Sequence, residues 1–421
     1  MQTLEQLQPL KLTIPGAYYD SQIYDGYLYL WKTDGSILVL DWDKLIESIG
    51  INEKLRIVLT LGFQYGDKLY ENLLIQDTEI KNMLIEKFKE LSKITIDTSE
   101  KILKNSFVSL QNNPFPFPHA DSSIHYKTVY VGSRSGVSRS RCSSSNKLSL
   151  DPKSEKLWDA PVLSLTASHK TLALAAGSEG LFDYSLKYSS SQDRNEPRNI
   201  TKEHSNFARW MYPGIFSSSY FNEGYFADFI ETKNSKSKRN DSKKNKRPIQ
   251  LSLPLSLSDS SLVPETSRQF KNLFSSREIF PTQVTARSPK FTWGARDKIC
   301  LVTEDSIELV RCFPRAKKKA KKFESLGSKQ VKELTGDIIS ADSSFFGIVL
   351  EEEDSLLVIN SLLQHKRFTG EPVNWRVFPH SRNYTNQLHI IYEDSIHIYS
   401  FTHDYFLDQK EKLIGMSFSS E

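Results

Sequence analysis

The chain has 421 residues, of which 38% are apolar and 11% aromatic, and its cysteines are Cys142, Cys300 and Cys312. This aromatic content argues against a wholly disordered chain. Three cysteines without a CxxC pair argue against a disulfide scaffold or zinc cluster and favour a reducing, cytoplasmic location. The net charge of +4 is uneven, because the runs 233–247 and 315–322 carry +7 and +6 and the remainder carries −9.

No segment predicts export or a membrane anchor. The first residues, MQTLEQLQPL, lack the basic start and apolar run of a signal peptide. The longest strongly apolar stretch, 55–63, is far shorter than a membrane span. We therefore expect a cytoplasmic protein without a membrane partner.

A hairpin pattern recurs along the chain. Each copy has two segments in which apolar residues alternate, joined by a short turn rich in Asp, Glu, Gly and Ser, which favour tight turns. The seven copies are 27–42, 128–142, 171–186, 217–231, 298–312, 345–359 and 387–401. Two of them share nearly the same eight residues, TEDSIELV and YEDSIHIY.

A further strand precedes several hairpins. The segments YYDSQIYDGYLYL (18–30) and HADSSIHYKTVYV (119–131) both contain Asp-Ser-x-Ile ahead of the hairpin, and SADSSFFGIVL (340–350) contains the same Asp-Ser step. This pattern predicts an inner strand before each hairpin.

The spacing of the turns predicts the architecture. From Gly35 the intervals are 101, 44, 44, 81, 49 and 40 residues, ending at Asp394. Intervals of about 40–50 residues are typical of the four-stranded blades of a β-propeller, and the two long ones indicate insertions. Seven copies predict an all-β, seven-bladed β-propeller spanning 1–421 as a single domain.

These repeats resemble the WD40-like β-propeller superfamily over almost the whole chain. The usual Gly-His pairs are absent, and Trp-Asp occurs only at Trp42-Asp43 and Trp158-Asp159. The resemblance therefore implies a divergent propeller outside any named subfamily. A β-sandwich with a separate β domain is the alternative, and a β-helix fits less well because its rungs are shorter and more regular.

Two insertions are predicted. The first, 64–118, follows blade one and is helical and then rich in Pro, with 55–63 as the outer strand of blade one. The second, 232–290, is a basic and Ser-rich segment between blades four and five, in which 249–262 alternates like an outer strand.

An amphipathic helix is predicted over 77–93, with Asp77 as its N-cap. Its apolar face consists of Ile80, Met83, Leu84, Phe88 and Leu91. This face can pack on the rim of the propeller or dock a partner.

The two basic runs follow the second strand of neighbouring hairpins, so we expect both to leave the same face of the disc. Lysine-rich loops bind phosphates non-specifically, although neither run has the interleaved aromatics that stack on single strands. The candidate contacts for nucleic acid or an acidic partner are Lys236, Lys238, Arg239, Lys243, Lys244, Arg315, Lys317, Lys318 and Lys319. A solvated loop is the alternative.

Motifs of catalysis and cofactor binding are absent from the sequence. No GxSxG, GxxxxGK[ST], GxGxxG or HExxH occurs. His389 and His397 flank one turn but have no evident third ligand, so we expect ordinary strand residues and neither a metal nor another cofactor.

Three functions remain open. The preferred hypothesis is a non-catalytic scaffold or adaptor in a multiprotein complex, and the second is a nucleic-acid-associated subunit. The third is a propeller hydrolase with carboxylates at the channel mouth, for which Asp20, Asp121, Asp337 and Asp342 are the candidates.

Overall fold

The computed structural model describes residues 7–65, 77–143, 149–168, 171–186, 196–212, 214–219, 223–233, 266–280, 289–313, 322–360, 363–381 and 383–402. Within these ranges the chain forms seven sheets of four or five strands and five helices. The sheets are the blades of one β-propeller, which confirms the predicted all-β, seven-bladed fold.

Strands are numbered in chain order and grouped by their place in a blade. The inner strands, from blade one to blade seven, are β2 (Tyr18–Tyr24), β7 (Asp121–His125), β12 (Ser164–Ser168), β16 (Phe207–Trp210), β20 (Phe291–Ala295), β24 (Ser340–Ser344) and β28 (Asn374–Val377). The second strands are β3 (Tyr27–Lys32), β8 (Thr128–Ser133), β13 (Thr171–Ala175), β17 (Gly214–Ser218), β21 (Lys298–Val302), β25 (Gly347–Glu352) and β29 (Gln387–Ile391). The third strands are β4 (Ser36–Asp41), β9 (Gly136–Ser143), β14 (Leu181–Ser185), β18 (Gly224–Lys233), β22 (Ser306–Cys312), β26 (Ser355–Ile359) and β30 (Ser395–Ser400).

The outer strands complete the blades. They are β6 (Phe107–Asn112), the pair β10 (Ser149–Leu150) and β11 (Glu155–Trp158), β15 (Arg198–Thr201), β19 (Thr266–Ser275), β23 (Phe323–Gln330), β27 (His365–Thr369) and, in blade seven, β1 (Leu10–Pro15). The helices are α1 (Trp42–Ser48), α2 (Glu53–Gln64), α3 (Thr78–Leu91), α4 (Glu100–Ser106) and α5 (Ser276–Ile279).

Each predicted hairpin forms the second and third strands of a blade. In blade five Cys300 lies opposite Leu309, and in blade seven Ile390 lies opposite His397. The Asp-Ser segments ahead of the hairpins form the inner strands β2, β7 and β24, as predicted.

Apolar residues are buried between blades rather than within one. Tyr29 and Val39 of blade one, for example, pack with Val129 and Val131 of blade two. The described residues form seven such clusters, one between each pair of neighbouring blades. Because a single blade cannot cover both its faces, the stacked ring is the unit that buries the core.

The disc has two faces, named here by the direction of the inner strands. Inner strands begin at the upper face and end at the lower face, so the connections between third and fourth strands lie at the lower face. The two longest connections, β4–β6 and β18–β19, are of this kind, and so is β22–β23. Both basic runs therefore follow strands that end at the lower face, in the neighbouring blades four and five.

Three predicted boundaries are wrong. Residues 55–63 belong to helix α2, and the outer strand of blade one is β6. The first insertion therefore begins at Trp42 and ends before Phe107 instead of spanning 64–118. The second lies inside blade four, because β19 pairs with β18, instead of spanning 232–290 between blades. Residues 249–262 lie outside the described ranges.

Blade seven closes the ring with strands from both ends of the described chain. Strand β1 pairs with β30, placing Leu12 opposite Ile398. Strand β5 (Thr95–Asp97), from the insertion of blade one, adds to the outer side of β1 in parallel. The insertion thus covers the edge strand that closes the ring, and an uncovered edge strand is open to pairing with other chains.

Polar contacts fasten helix α2 to the same blade. The backbone oxygen of Gly62 accepts hydrogen bonds from Asn386 Nδ2 at 2.6 Å and Ser400 Oγ at 2.7 Å. That of Phe63 accepts from Gln387 Nε2 at 2.7 Å. A Cβ added at Gly62 would lie 2.6 Å from Leu10 Cδ1, so glycine permits this close approach. We call the assembly of α1–α4, β5 and blade seven the rim clamp.

Candidate functional site in the central channel

The repeated Asp-Ser step gives three inner strands the same local geometry. Oδ1 of Asp20, Asp121 and Asp342 each accepts a hydrogen bond from the backbone N–H of the following serine, at 2.8, 2.9 and 2.8 Å. All three side chains are buried. One short sequence pattern thus brings a carboxylate toward the axis in blades one, two and six.

Arg376, on the inner strand of blade seven, joins two of these carboxylates. Its Nε and Nη2 donate to Asp20 Oδ1 and Oδ2 at 2.8 and 2.9 Å, and its Nη1 donates to Asp121 Oδ1 at 2.5 Å. Asp20 Oδ2 also accepts from the Ser122 hydroxyl at 2.6 Å and lies 2.8 Å from His119 Nε2. This is the bidentate geometry in which arginine binds carboxylate most strongly.

Arg209, on the inner strand of blade four, joins the third carboxylate. Its Nε donates to Asp342 Oδ2 at 3.1 Å, and its Nη1 lies 3.5 Å from Asp121 Oδ2 and donates to Ser164 Oγ at 3.1 Å. The guanidinium carbon lies 4.1 Å from the centroid of the Phe207 ring. The cation is therefore held by charge, hydrogen bonds and an aromatic face.

Together these contacts form one chain of alternating charges, Asp342–Arg209–Asp121–Arg376–Asp20. It passes from blade six through blades four, two and seven to blade one. We call it the axial ion chain. Since its members come from five blades, it ties the ring together across the channel.

The pKa values of the three carboxyls differ because their partners differ. Burial acts to raise the pKa of Asp20 and of Asp121, but the adjacent Arg376 outweighs it, so both pKa values lie below the ordinary one. Burial also raises the pKa of Asp342, and Arg209 alone does not offset it. Asp342 is therefore the carboxylate in the chain that is least neutralised.

The channel encloses a cavity of about 810 Å³. Residues of blades one, two, three, four, six and seven line it. At the lower face the connection 378–386 of blade seven crosses the channel, and His380 Nε2 donates to the backbone oxygen of Trp210 in blade four at 3.1 Å. The side chain of His380 is otherwise exposed to the channel.

The histidines flanking the turn of blade seven do not converge. His389 lies opposite Ile398 and His397 opposite Ile390, so their side chains project from opposite sides of the sheet. His389 Nδ1 lies 3.1 Å from Ser21 Oγ, and burial lowers its pKa to about 3. No group of three metal-binding side chains occurs among the described residues.

Three of the four acids predicted at the channel mouth meet there. Asp20, Asp121 and Asp342 belong to the axial ion chain, whereas Asp337 is fully exposed and pairs with Lys290 at 3.7 Å. Asp337 is therefore a surface residue, and its prediction as a channel acid is wrong.

Sequence reasoning missed the two arginines that organise these acids. Arg209 and Arg376 lie inside short inner strands, in FARW and NWRV. A charged residue within a strand that is otherwise apolar and aromatic is a usable signal, because burying it requires a partner. Nothing local indicates which partner it has.

The predicted docking helix packs largely on the propeller. Asp77 caps α3, its side chain accepting from the N–H groups of Glu79 and Ile80. The apolar face splits: Leu84, Phe88 and Leu91 are buried in the cluster between blades seven and one, Ile80 is half-buried, and Met83 is 55% exposed. Whether a partner also binds this helix stays a prediction.

The nine basic candidates lie outside the described residues, namely Lys236, Lys238, Arg239, Lys243, Lys244, Arg315, Lys317, Lys318 and Lys319. What the structure describes is the strands beside them, β18 and β19 in blade four and β22 and β23 in blade five. Their contact with nucleic acid stays a prediction. None of the helices in the described ranges is long and apolar enough to cross a membrane.

No family model and no curated protein matches the sequence. Among solved structures, the β-propeller domain of Myceliophteria thermophila Cps50 (Swd1) is 7% identical with a TM-score of 0.47, covering 91% of this chain and 96% of that one. Chaetomium thermophilum Raptor is 8% identical with a TM-score of 0.47, covering 94% of this chain and 29% of that one. The computationally designed protein Ika8 is 8% identical with a TM-score of 0.41, covering 94% of this chain and all of that one.

These similarities are too distant to carry an argument about function. The blade count, the strand order within each sheet and the closure of blade seven by β1 describe the architecture by themselves. The chain is a seven-bladed β-propeller.

Proposed function

We propose that this protein is a non-catalytic scaffold or adaptor subunit that binds protein partners on the faces of its disc. The observation that carries the proposal is that the axial acids are engaged in holding the ring. Each acid is hydrogen-bonded to its own backbone segment and to an arginine of another blade. A rigid disc held in this way is suited to presenting surfaces.

The three axial acids do not supply the acid–base pair that the hydrolase alternative needs. General acid–base catalysis requires two groups that exchange protons near the working pH. Asp342 has a raised pKa, but its neighbour Asp121 accepts from Arg376, Ser164 Oγ and the N–H of Leu165, and its pKa is lowered. These bonds keep Asp121 ionised, which suits a structural anion.

The nucleic-acid alternative keeps one supporting observation. The strands that precede the two basic runs, β18 and β22, both end at the lower face and belong to neighbouring blades. Two runs with charges of +7 and +6 at one face would together make a phosphate-binding surface.

The test is an affinity purification of the tagged full chain from its native host, with and without nuclease, read by mass spectrometry. A matched variant replaces the nine basic residues with glutamine. Stoichiometric protein partners that survive both nuclease and the substitutions support the scaffold. Partners or nucleic acid lost under both treatments support the second function.

A distinct result would overturn both proposals. If the chain is recovered without a partner, and if it turns over a substrate in a reaction abolished by Asp342→Asn at unchanged thermal stability, the protein is an enzyme.

A further inference from the structure

Exposed apolar residues surround the upper mouth of the channel. Leu163, Ile339 and Val373 each stand immediately before an inner strand, in blades three, six and seven. The backbone N–H of each residue donates a hydrogen bond of 2.8 Å to a carbonyl at or beside the end of the second strand of its blade. The three positions are therefore equivalent. Their exposures are 39%, 55% and 50%. Leu163 and Val373 line the channel cavity, and Ile339 holds the same position in blade six beside Val373, so a partner bound at this mouth would cover apolar surface.

The mouth beneath this rim is acidic. Toward this end of the channel the carboxyls of Asp20, Asp121, Asp342 and Glu351 face only the guanidiniums of Arg209 and Arg376, so their formal charges sum to −2. Both arginines already serve the axial ion chain. The unbalanced charge lies on the side of blade six, where Asp342 shares a single arginine.

Glu351 is a carboxylate of this mouth without a cationic partner among the described residues. It ends near the upper face, where its Oε2 accepts from Trp375 Nε1 at 2.9 Å and from the Ser340 hydroxyl. Among the described residues it forms hydrogen bonds with neutral donors but no ion pair. The indole of Trp375 also lines the cavity, so an aromatic ring lies beside the carboxylate.

We propose that the upper mouth binds a lysine or arginine side chain on an extended segment of a protein partner. The cation lies against Glu351 and Asp342 beside the indole of Trp375, and the apolar residues next to it in the partner contact Val373, Ile339 and Leu163. Charge complementarity selects the cation, because an acidic side chain would enter a cavity that is already negative. The rim selects a peptide over a free amine, since a free amine would leave the apolar side chains uncovered.

This inference rests on the scaffold proposal and names its contact surface. The strands that precede both basic runs end at the lower face, at the opposite end of the channel from this mouth. A partner bound there would leave the lower face open to a second one.

The test uses the full chain and four pools of fluorescein-labelled, end-blocked decapeptides. The central residue is Arg, Lys, norleucine or Glu, and the flanking positions are mixtures of Ala, Val, Leu and Ser. Binding is measured by fluorescence polarisation. We expect the Arg and Lys pools to bind about tenfold or more tightly than the norleucine and Glu pools, as for hydrogen bonds to a charged group.

Two substitutions locate the site, and one controls for charge. Glu351→Gln is expected to weaken binding of the Arg and Lys pools about tenfold. Val373→Ser is expected to weaken their binding severalfold, because it removes an apolar side chain of the exposed rim. Glu353→Gln removes an exposed acid two residues away and should leave binding unchanged. Thermal melts of each variant verify the fold.

Two results overturn the inference. In one, the norleucine or Glu pool binds as well as the basic pools, or Glu353→Gln weakens binding as much as Glu351→Gln. In the other, no pool binds the chain. Recovery of nuclease-resistant partners from the host would then keep the scaffold and reject the mouth as its site, whereas absence of partners as well would reject both.

Discussion

The ring of this propeller is held closed at two places, and the two use different physics. At the rim, the clamp buries apolar side chains such as Phe88 and Leu84 against blade seven and caps backbone oxygens with neutral amides. At the axis, the ion chain joins Arg209 and Arg376 to three buried carboxylates. Apolar burial is insensitive to pH, whereas the stabilisation from buried charges changes with their ionisation. The stabilisation from the rim clamp should therefore be independent of pH, and that from the axial ion chain should depend on it.

The largest effects are expected from breaking either closure. Phe88→Ala removes a fully buried ring from the rim clamp and should lower the free energy of unfolding by about 3–5 kcal/mol. Urea denaturation followed by tryptophan fluorescence measures it. Met83→Ala on the same helix is the control, since an exposed side chain should change the free energy by less than about 0.5 kcal/mol. Equal effects would show that α3 does not pack as described.

Arg376→Met tests the axis. It leaves Asp20 and Asp121 buried without their main cation, which should cost about 3–5 kcal/mol of the free energy of unfolding at pH 7. The control is Lys104→Met, which breaks an ion pair with Glu100 whose two side chains are 79% and 92% exposed, and should cost at most about 1 kcal/mol. If both variants unfold at the wild-type urea concentration, the axial chain does not stabilise the ring.

Acid should destabilise the fold. The pKa of the buried His389 falls from the ordinary 6.5 to about 3, so the unfolded chain binds more protons below pH 6.5. The contribution of this histidine is thus complete above pH 6.5 and is lost as the pH falls, by at most about 1.4 kcal/mol per pH unit. The lowered pKa values of Asp20 and Asp121 extend the loss to still lower pH.

Raised pKa values act in the opposite direction. Protonation of Asp342 in the folded state relieves a buried charge, so its contribution favours folding as the pH falls. Urea midpoints at pH 7, 5.5 and 4.5 measure the net effect. We expect His389→Gln to flatten the profile between pH 6.5 and 4.5 and Phe88→Ala to shift it without changing its slope. A wild-type profile that is flat over this interval would contradict the described burial of His389.

The smallest effect is expected at the connection that crosses the channel. His380→Ala removes the hydrogen bond to the Trp210 carbonyl, at a cost of about 1 kcal/mol. His380→Asn, which keeps a donor, should recover part of it in the same urea measurement. An unchanged midpoint for His380→Ala would show that the connection does not brace blade four.

Sequence reasoning predicted the blades but not how the ring is fastened. The predicted hairpins were correct because alternation and turn residues act between neighbours in the chain. The strand predicted at 55–63 was wrong because LRIVLTLGF is apolar without a clear period. In the structure this segment is helical and contacts blade seven. The outer strand β6 was missed because the insertion separates it from β4 by 65 residues.

The sequence predicted the acids of the candidate site but not the arginines that pair with them. The Asp-Ser step is visible in the sequence, and it placed Asp20, Asp121 and Asp342 at the inner strands. Their partners were not predicted, because Arg376 lies 356 residues from Asp20 and Arg209 lies 133 residues from Asp342. The charge left over at Glu351 follows only once those pairings are known.

The strands, their turns and their sevenfold repetition could be predicted from the sequence, since each depends on residues a few positions apart. The tertiary structure was needed to show that the insertion of blade one covers blade seven and that two arginines link five blades. It was also needed to show that the mouth at the upper face is acidic and has an apolar rim. Those features depend on contacts between distant segments, and a local pattern of residues does not specify its distant partners.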